Sequence, residues 1–244
     1  GFGFSSPLTR PISCRETAVL WDCLMHEHLE YATYAAAGGD WGSKVTGELG
    51  QLFPDRVRGI YLMMLALPGR TAPFTTDGRF AEGEQWMVDR MAQTFPLVSS
   101  HLAVHRQDPQ TLSYALNDSP AGLAAWIWER RLSWRDPEVP EDPGADPDFL
   151  CTTASIYWFT ETIGPSMRFY KDNFGDRIAP PLGRITVPTA FGTGPRDLVY
   201  MPKAEAELAT NLQRWTIFPV GGHFAPNETP VLVAEELGQF FGSL

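Results

Sequence analysis

Apolar residues form short continuous runs near both ends of the chain. Residues 31–37, 57–65, 185–192 and 215–220 are apolar runs of strand length. Such runs are typical of strands that are buried on both faces of a parallel sheet. Residues 230–241 have helical spacing instead and predict a closing amphipathic helix. The pattern therefore predicts an α/β fold with a mostly parallel sheet of four strands.

The middle of the chain has a different pattern. Ser119 followed by Pro120 is typical of a helix N-terminus, with serine as the cap and proline at the first helical position. Residues 149–170 are also helical in spacing and rich in aromatic residues. Residues 135–148 are rich in proline and aspartate, and their apolar content is too low to predict packing.

The chain is therefore expected to be one core interrupted by an insert. We predict core segments at residues 1–75 and 185–244 and a largely helical lid at residues 76–184. In open α/β sheets, ligands bind at the carboxyl ends of the strands, so we expect the lid to cover a site there.

Residues 38–42, Gly-Gly-Asp-Trp-Gly, have the pattern of a nucleophile elbow between a strand and a helix. Asp40 occupies the nucleophile position, and we expect Gly38 and Gly42 to remove side chains that would clash in the sharp turn. A carboxylate there suits attack on an sp3 carbon that carries a leaving oxygen or halide, which gives an ester for water to hydrolyse. The alternative is an ordinary glycine-rich turn.

Two further residues follow in the order nucleophile, acid, histidine. Asp197 lies just after the run at 185–192, and His223 lies in a Gly-Gly-His-Phe sequence after the last predicted strand. His223 would take a proton from water, and Asp197 would orient it and stabilise the imidazolium. The alternatives are a structural histidine and an aspartate on a surface loop. Glu205 and Glu207 are nearby but belong to a helix-like run.

Charge and composition exclude several kinds of binding partner. The net charge of −10 argues against nucleic acid and anionic membrane surfaces. The three cysteines have no metal-like spacing and indicate reduced thiols in a cytoplasmic protein, and no apolar run is long enough to span a bilayer. His26 and His28 are two residues apart in a helical run, so they do not predict a metal site.

Six stretches of the sequence, in order along nearly the whole chain, carry a resemblance to a known family. They are GFGFS at 1–5, GGDWG at 38–42, DPQTLSYALNDSPAGLAAWI at 108–127, IYWFTETIGPSMRFY at 156–170, PRDLVYMP at 195–202 and GGHFAPNETPVLVAEELGQFF at 221–241. Together they resemble the microsomal-type epoxide hydrolases of the α/β-hydrolase fold, especially their bacterial relatives.

The resemblance implies hydrolysis of a small-molecule epoxide to a vicinal diol without cofactor or metal. It implies Asp40 as the nucleophile, His223 as the base and Asp197 as its acid. It also implies the backbone N–H of Trp41 as an oxyanion donor, with Gly39 beside it in the same turn.

The resemblance further implies a lid acid at Tyr170, which would donate a hydrogen bond to the epoxide oxygen as the ring opens. Members of the family place a second lid tyrosine where this chain has His101. His101 and Tyr170 could form a mixed acid pair, because a protonated histidine is a stronger acid than tyrosine. The alternative is that Tyr170 acts alone.

The family carries a second oxyanion donor on a His-Gly-Trp-Pro loop in its first half, and this sequence has no such loop. We therefore expect the chain to be the C-terminal portion of the enzyme, with the N-terminal half separate or absent. The elbow strand should then lie at an unpaired edge, which a partner would normally cover.

Three other functions remain open from the sequence. A haloalkane dehalogenase would use the same aspartate and the same following tryptophan. A ring-forming enzyme would open epoxides intramolecularly and would not need the pair of Asp40 and His223. A catalytically silent chain that needs its N-terminal half is the third.

Overall fold

The computed structural model describes residues 1–6, 8–64, 67, 80–174 and 183–244. Within these residues, four parallel strands form one sheet in the order β1-β2-β3-β4. The strands are β1 Tyr34–Gly38, β2 Val57–Leu62, β3 Ile185–Thr193 and β4 Thr210–Ile217. The predicted α/β fold class and the mostly parallel sheet are confirmed.

The strand boundaries differ from the prediction at both edges of the sheet. β1 begins at Tyr34, because the backbone N–H of Tyr31 donates to the Met25 carbonyl at 3.0 Å and closes the preceding helical turn. β4 begins at Thr210, well before the apolar run that predicted it. An edge strand tolerates exposed polar residues such as Gln213, so a search for continuous apolar residues misses its first half.

Helices surround the sheet. Those of the described residues are α1 Cys14–Asp22, which continues into a π-helical turn at Cys23–His28, α2 Trp41–Leu52, α3 Gln85–Val98, α4 Ser100–Gln107, α5 Pro109–Asp118, α6 Pro120–Ser133, α7 Pro147–Phe159, α8 Ile163–Asp172, α9 Lys203–Ala209, α10 Ala225–Glu228 and α11 Pro230–Phe241. None of them is long and apolar enough to cross a membrane. The helices α3–α8 lie between β2 and β3, and we call them the helical insert.

Within the helical insert, α6 begins as predicted. The Ser119 hydroxyl accepts a hydrogen bond from the Gly122 N–H at 3.0 Å, and Pro120 is the first residue of α6. This geometry satisfies one of the free N–H groups at the helix N-terminus. The predicted domain boundary at residues 75–76 lies outside the described residues, and the division into domains stays a prediction.

The described residues form five buried apolar clusters, and two of them show how the sheet and the insert are held. The larger one packs the central strands against the helices around them, with Ile60, Leu62 and Phe191 fully buried. A second cluster lies inside the helical insert and includes Leu123 and Met167, which are also fully buried. The insert therefore has a core of its own and can present a stable wall to the strand ends.

Parts of the proline- and aspartate-rich segment at residues 135–148 are packed, so the prediction that its apolar content is too low for packing is wrong for those parts. Asp136 is 2% exposed and Asp142 is 6% exposed. Asp142 accepts a hydrogen bond from the Arg131 guanidinium at 2.6 Å and another from the Gly144 N–H at 2.9 Å. Buried carboxylates are tolerated when cations and N–H groups compensate them, and a count of apolar residues does not detect this.

β1 lies at the edge of the sheet, as predicted, and within the described ranges it pairs only with β2. The Tyr34 N–H donates to the Arg56 carbonyl, and the Gly38 carbonyl accepts from the Met63 N–H. Alternate residues of a parallel strand bond to opposite neighbours, so the N–H and carbonyl groups of Ala35 and Ala37 point outward. Both alanines are exposed.

Candidate active site

The elbow places Asp40 between β1 and α2 in a conformation that L-residues rarely adopt, with φ 50° and ψ −125°. A Cβ added at Gly38 would lie 2.3 Å from the Gly42 carbonyl oxygen, so only glycine fits there. A Cβ added at Gly42 would meet open space. The predicted crowding is therefore confirmed at Gly38 and wrong at Gly42.

The structure brings Asp40, His223 and Asp197 together. His223 Nε2 lies 3.2 Å from Asp40 Oδ2, and His223 Nδ1 lies 2.8 Å from Asp197 Oδ1. Asp197 is nearly fully buried and also accepts hydrogen bonds from the Thr193 hydroxyl and the Leu198 N–H, each at 2.7 Å. Its carboxylate is thus fixed by the end of β3 and holds the imidazole in one orientation.

The two carboxylates set the charge of the histidine. Burial opposes a charge on His223, but hydrogen bonds and charges from Asp197 and then Asp40 outweigh it and raise the pKa of His223 to about 10. Burial would raise the pKa of Asp40, but His223, the Trp41 N–H and the charge of Lys44 together lower it. At neutral pH the resting site therefore holds an ionised Asp40 beside an imidazolium.

The other oxygen of the elbow carboxylate contacts backbone. The Trp41 N–H donates to Asp40 Oδ1 at 2.7 Å, and Gly39 lines the same cavity. Among the described residues, no second backbone donor to Oδ1 is found. The two oxygens of Asp40 are therefore distinct, since Oδ1 faces backbone N–H and Oδ2 faces His223.

A cavity of about 510 Å³ opens above Asp40, between the elbow and the helical insert. Its wall is mainly aromatic and apolar. The large apolar side chains that line it include Trp126, Ile127, Trp134, Tyr157, Phe169 and Phe224. The Asp40 side chain is 43% exposed because it faces this cavity. A cavity of this size and lining is typical of small-molecule sites.

Tyr170 lines the cavity on the helical insert, and its ring packs edge-on against Trp41 with centroids 5.0 Å apart. Burial, and then the charge of Asp40, raises the pKa of Tyr170. The phenol therefore stays protonated and can donate a hydrogen bond into the cavity.

His101 also lines the cavity, and its ring lies 5.5 Å from that of Tyr170. Burial and the charge of Arg130 lower the pKa of His101 to about 4. The imidazole is therefore uncharged near neutral pH. The protonated acid considered in the sequence analysis does not fit this environment, and His101 is left as a neutral donor or a wall residue.

His105 is a cavity residue that the sequence analysis missed. Its ring lies 4.7 Å from Tyr170, and its Nε2 lies 3.3 Å from Trp126 Nε1, the donor. Burial and then the neighbouring His101 lower the pKa of His105 to about 3. The sequence could have indicated His105, because it lies four residues after His101 and residues four apart on a helix share a face.

Asp136 and Glu228 were also missed. Both are buried beside the loop at residues 221–224 that carries His223. An aspartate in a proline-rich segment and a glutamate in a short helix carry no sequence signal that separates them from surface residues. Their contacts are described below.

No group of three or more His, Cys, Asp or Glu side chains within the described ranges is arranged to hold a metal ion. His26 Nδ1 lies 3.1 Å from the Tyr31 carbonyl, and His28 is exposed. Cys14, Cys23 and Cys151 are free thiols.

Comparison with known proteins gave several relatives but no matching family model. A protein of Stigmatella aurantiaca described as a candidate epoxide hydrolase is 35% identical over 247 residues, which cover 100% of this chain and 54% of the relative. Epoxide hydrolase 1 of Sus scrofa is 30% identical over 267 residues, covering 100% of this chain and 58% of the relative. The chain spans about half the length of the curated relatives it matches.

Solved structures agree in fold. Juvenile hormone epoxide hydrolase from Bombyx mori matches with a TM-score of 0.85 and 24% identity, over 99% of this chain and 62% of that one. Aspergillus niger epoxide hydrolase matches with a TM-score of 0.80 and 24% identity, over 99% and 60%. The parallel sheet, the elbow and these neighbours define the α/β-hydrolase fold.

Within that class, the chain is similar along its whole length to named epoxide hydrolases, at 30–35% identity. This similarity agrees with the family expected from the sequence.

The elbow gives a matched pair of variants. We expect Gly38→Ala to destabilise the protein by about 1–3 kcal/mol, because its methyl group would overlap the Gly42 carbonyl. Gly42→Ala should be neutral or slightly stabilising, because its methyl group meets open space on a helix. Chemical denaturation of both variants measures the difference. Equal losses of stability would contradict this account of the elbow.

Proposed function

We propose that the protein is an epoxide hydrolase that forms a vicinal diol through an ester on Asp40. The observation that carries the proposal is the contact of Asp40 with His223, which Asp197 orients, beneath a cavity whose wall includes Tyr170. The similarity of the whole chain to named epoxide hydrolases supports the same reaction.

In the first step, Asp40 Oδ2 attacks an epoxide carbon. The carbon–oxygen bond of the ring breaks, and its electron pair goes to the ring oxygen. The Tyr170 hydroxyl donates its hydrogen bond and then its proton to that oxygen, because a buried phenol is protonated and lines the same cavity. Oδ1 keeps its hydrogen bond from the Trp41 N–H and becomes the carbonyl oxygen of the ester.

In the second step, water attacks the ester carbon. His223 accepts one proton of that water, and the oxyanion forms on Oδ1, where the Trp41 N–H already lies. The oxyanion then collapses and the bond between the ester carbon and the diol oxygen breaks. That oxygen takes the second proton of the attacking water, which releases the diol and leaves Asp40 ionised and His223 protonated.

The pKa of His223 explains why it acts as a base only after the ester has formed. While Asp40 is ionised it helps to keep His223 protonated. Once Asp40 is esterified that charge is gone, so the pKa of His223 falls. Its proton then passes through water to the phenolate that Tyr170 became in the first step, and the neutral imidazole is left as a base.

The cavity supports a bulky apolar substrate. Its wall is dominated by aromatic side chains from the helical insert, including Trp126 and Tyr157. Such walls bind apolar groups mainly through the area that they remove from water. We therefore propose an aryl or extended alkyl epoxide as the substrate class.

The two steps should differ in pH dependence. We expect the rate of ester formation to be nearly constant between about pH 7 and 9, since Asp40 stays ionised and Tyr170 stays protonated. Ester hydrolysis should rise with pH to a plateau, with a midpoint below the resting value of about 10 for His223. Rapid-quench kinetics of both steps measure this, and a hydrolysis midpoint that stays near 10 would contradict it.

The central test is intact-mass spectrometry of His223→Gln, quenched after mixing with an aryl epoxide. The first step should survive this change and the second should stall, so the protein should gain the mass of the whole epoxide at Asp40. Asp40→Asn is the control and should gain none. Adduct formation from a haloalkane with halide release would favour a dehalogenase instead. Absence of any adduct would favour a catalytically silent chain.

We also propose that a further polypeptide segment, the N-terminal half of the enzyme, pairs with β1. The outward N–H and carbonyl groups of Ala35 and Ala37 support this, because an apolar parallel strand is normally covered on both sides. Leu29 and Tyr31, just before the strand, are also exposed large apolar residues. The same segment could supply a second donor to Asp40 Oδ1.

Hydrogen exchange at the strand edge tests this proposal. In the protein purified from its natural source, we expect the amides of Ala35 and Ala37 to be protected, like that of Tyr34, which bonds within the sheet. Fast exchange at the two alanines in a stable monomer with the mass of this chain would show an uncovered edge and overturn the proposal.

A further inference from the structure

The loop at residues 221–224, which carries His223, has every backbone N–H engaged. Its partners belong to three residues, Trp134, Asp136 and Glu228. The bonds run from Gly221 N to Asp136 Oδ2 at 2.9 Å, from Gly222 N to Glu228 Oε2 at 2.8 Å, from His223 N to the Trp134 carbonyl at 2.9 Å, and from Phe224 N to Glu228 Oε1 at 2.9 Å.

Glu228 links two separate parts of the chain. Besides its two bonds to the histidine loop, its Oε2 accepts a third from the Asp136 N–H at 2.7 Å. Glu228 lies at the end of α10 and is 3% exposed as a whole residue, and burial raises its pKa. A buried carboxylate is retained at such a place only when donors satisfy it, and here three backbone N–H groups do.

Asp136 belongs to residues 134–136, the connector that follows α6 of the helical insert. Its Oδ1 accepts from the Glu138 N–H at 3.0 Å and lies 3.6 Å from Arg196 Nε. The backbone N–H of Arg196 donates to the Gly221 carbonyl at 3.1 Å. The connector is therefore held to the histidine loop by side chains and by backbone.

The backbone of the histidine loop packs directly against the backbone of the connector. A Cβ added at Gly222 would lie 2.6 Å from the Asp136 nitrogen and 2.7 Å from the Trp134 carbonyl oxygen. The Trp134 ring also packs edge-on against the His223 ring, with centroids 5.3 Å apart. The loop cannot shift toward or away from the connector without breaking these contacts.

We propose that Glu228 and Asp136 are positioning residues that tie the base to the helical insert, so that His223 moves with the wall of the substrate cavity. This inference rests on the proposed function, in which His223 acts only in ester hydrolysis. The same α6 that precedes the connector carries Trp126 and Ile127 of the cavity wall. A substrate that seats against α6 thereby also sets the distance from His223 to the ester on Asp40.

The test separates the two chemical steps in Glu228→Gln. Glutamine keeps the size of the side chain but turns one acceptor oxygen into a donor that faces a backbone N–H. We expect ester formation to keep the wild-type rate and ester hydrolysis to slow by about tenfold to a hundredfold, because small misplacements of a catalytic group have effects of this size. Glu235→Gln, at an exposed position of α11, is the matched control and should change neither step.

A second readout does not depend on turnover. The pKa of His223 in the ligand-free protein, followed by NMR of its imidazole nitrogens, should fall in Glu228→Gln because its contact with Asp197 loosens. Asp136→Asn, which perturbs the bond to Gly221, should act in the same direction. If the pKa of His223 and the ratio of the two rates match the wild type in both variants, the inference is wrong.

The same measurements separate the positioning role of Glu228 from two other outcomes, a purely structural role of Glu228 and a failure of the proposed function. Equal slowing of both steps with an unchanged pKa of His223 would indicate loss of folded protein and overturn the positioning role. Absence of any adduct in the wild type would refute the proposed function, while the NMR measurement would still decide whether Glu228 positions His223.

Discussion

The ion triad of Asp40, His223 and Asp197 is the constraint on which the structure depends. An imidazolium held between two carboxylates is stable away from water only if every charge keeps its partners. Asp197 therefore takes hydrogen bonds from the end of β3, and Asp40 takes one from the first residue of α2. The strained backbone at Asp40 follows from the same requirement, since it aims the carboxylate at the histidine.

Much of this arrangement could be predicted from the sequence. The runs that became β2 and β3 are buried on both faces, so their apolar continuity identified them. Asp197 and His223 follow strands, and the carboxyl ends of parallel strands meet at one edge of a sheet. Chain order alone therefore predicts that Asp40, Asp197 and His223 meet at one edge of the sheet.

The features of the site that could not be predicted depend on contacts between segments that are distant in sequence. The pKa of His101 is set by burial and by Arg130, which lies 29 positions away in sequence but near it in the fold. Arg131 and the Gly144 N–H compensate the buried carboxylate of Asp142. The N–H groups of Glu138 and Gly221 compensate that of Asp136. Local composition counts such residues as polar and places them at the surface.

The helical insert is usually regarded as the exchangeable part of such a fold, because it selects the substrate while the sheet performs the chemistry. Here the division is incomplete, since the connector at residues 134–136 supplies partners to the histidine loop. A chimera that received a foreign insert would keep its triad only if the donor also carried an acceptor at the place of Asp136 and a backbone that fits against Gly222. Recombination points inside the connector would separate residues that must be inherited together.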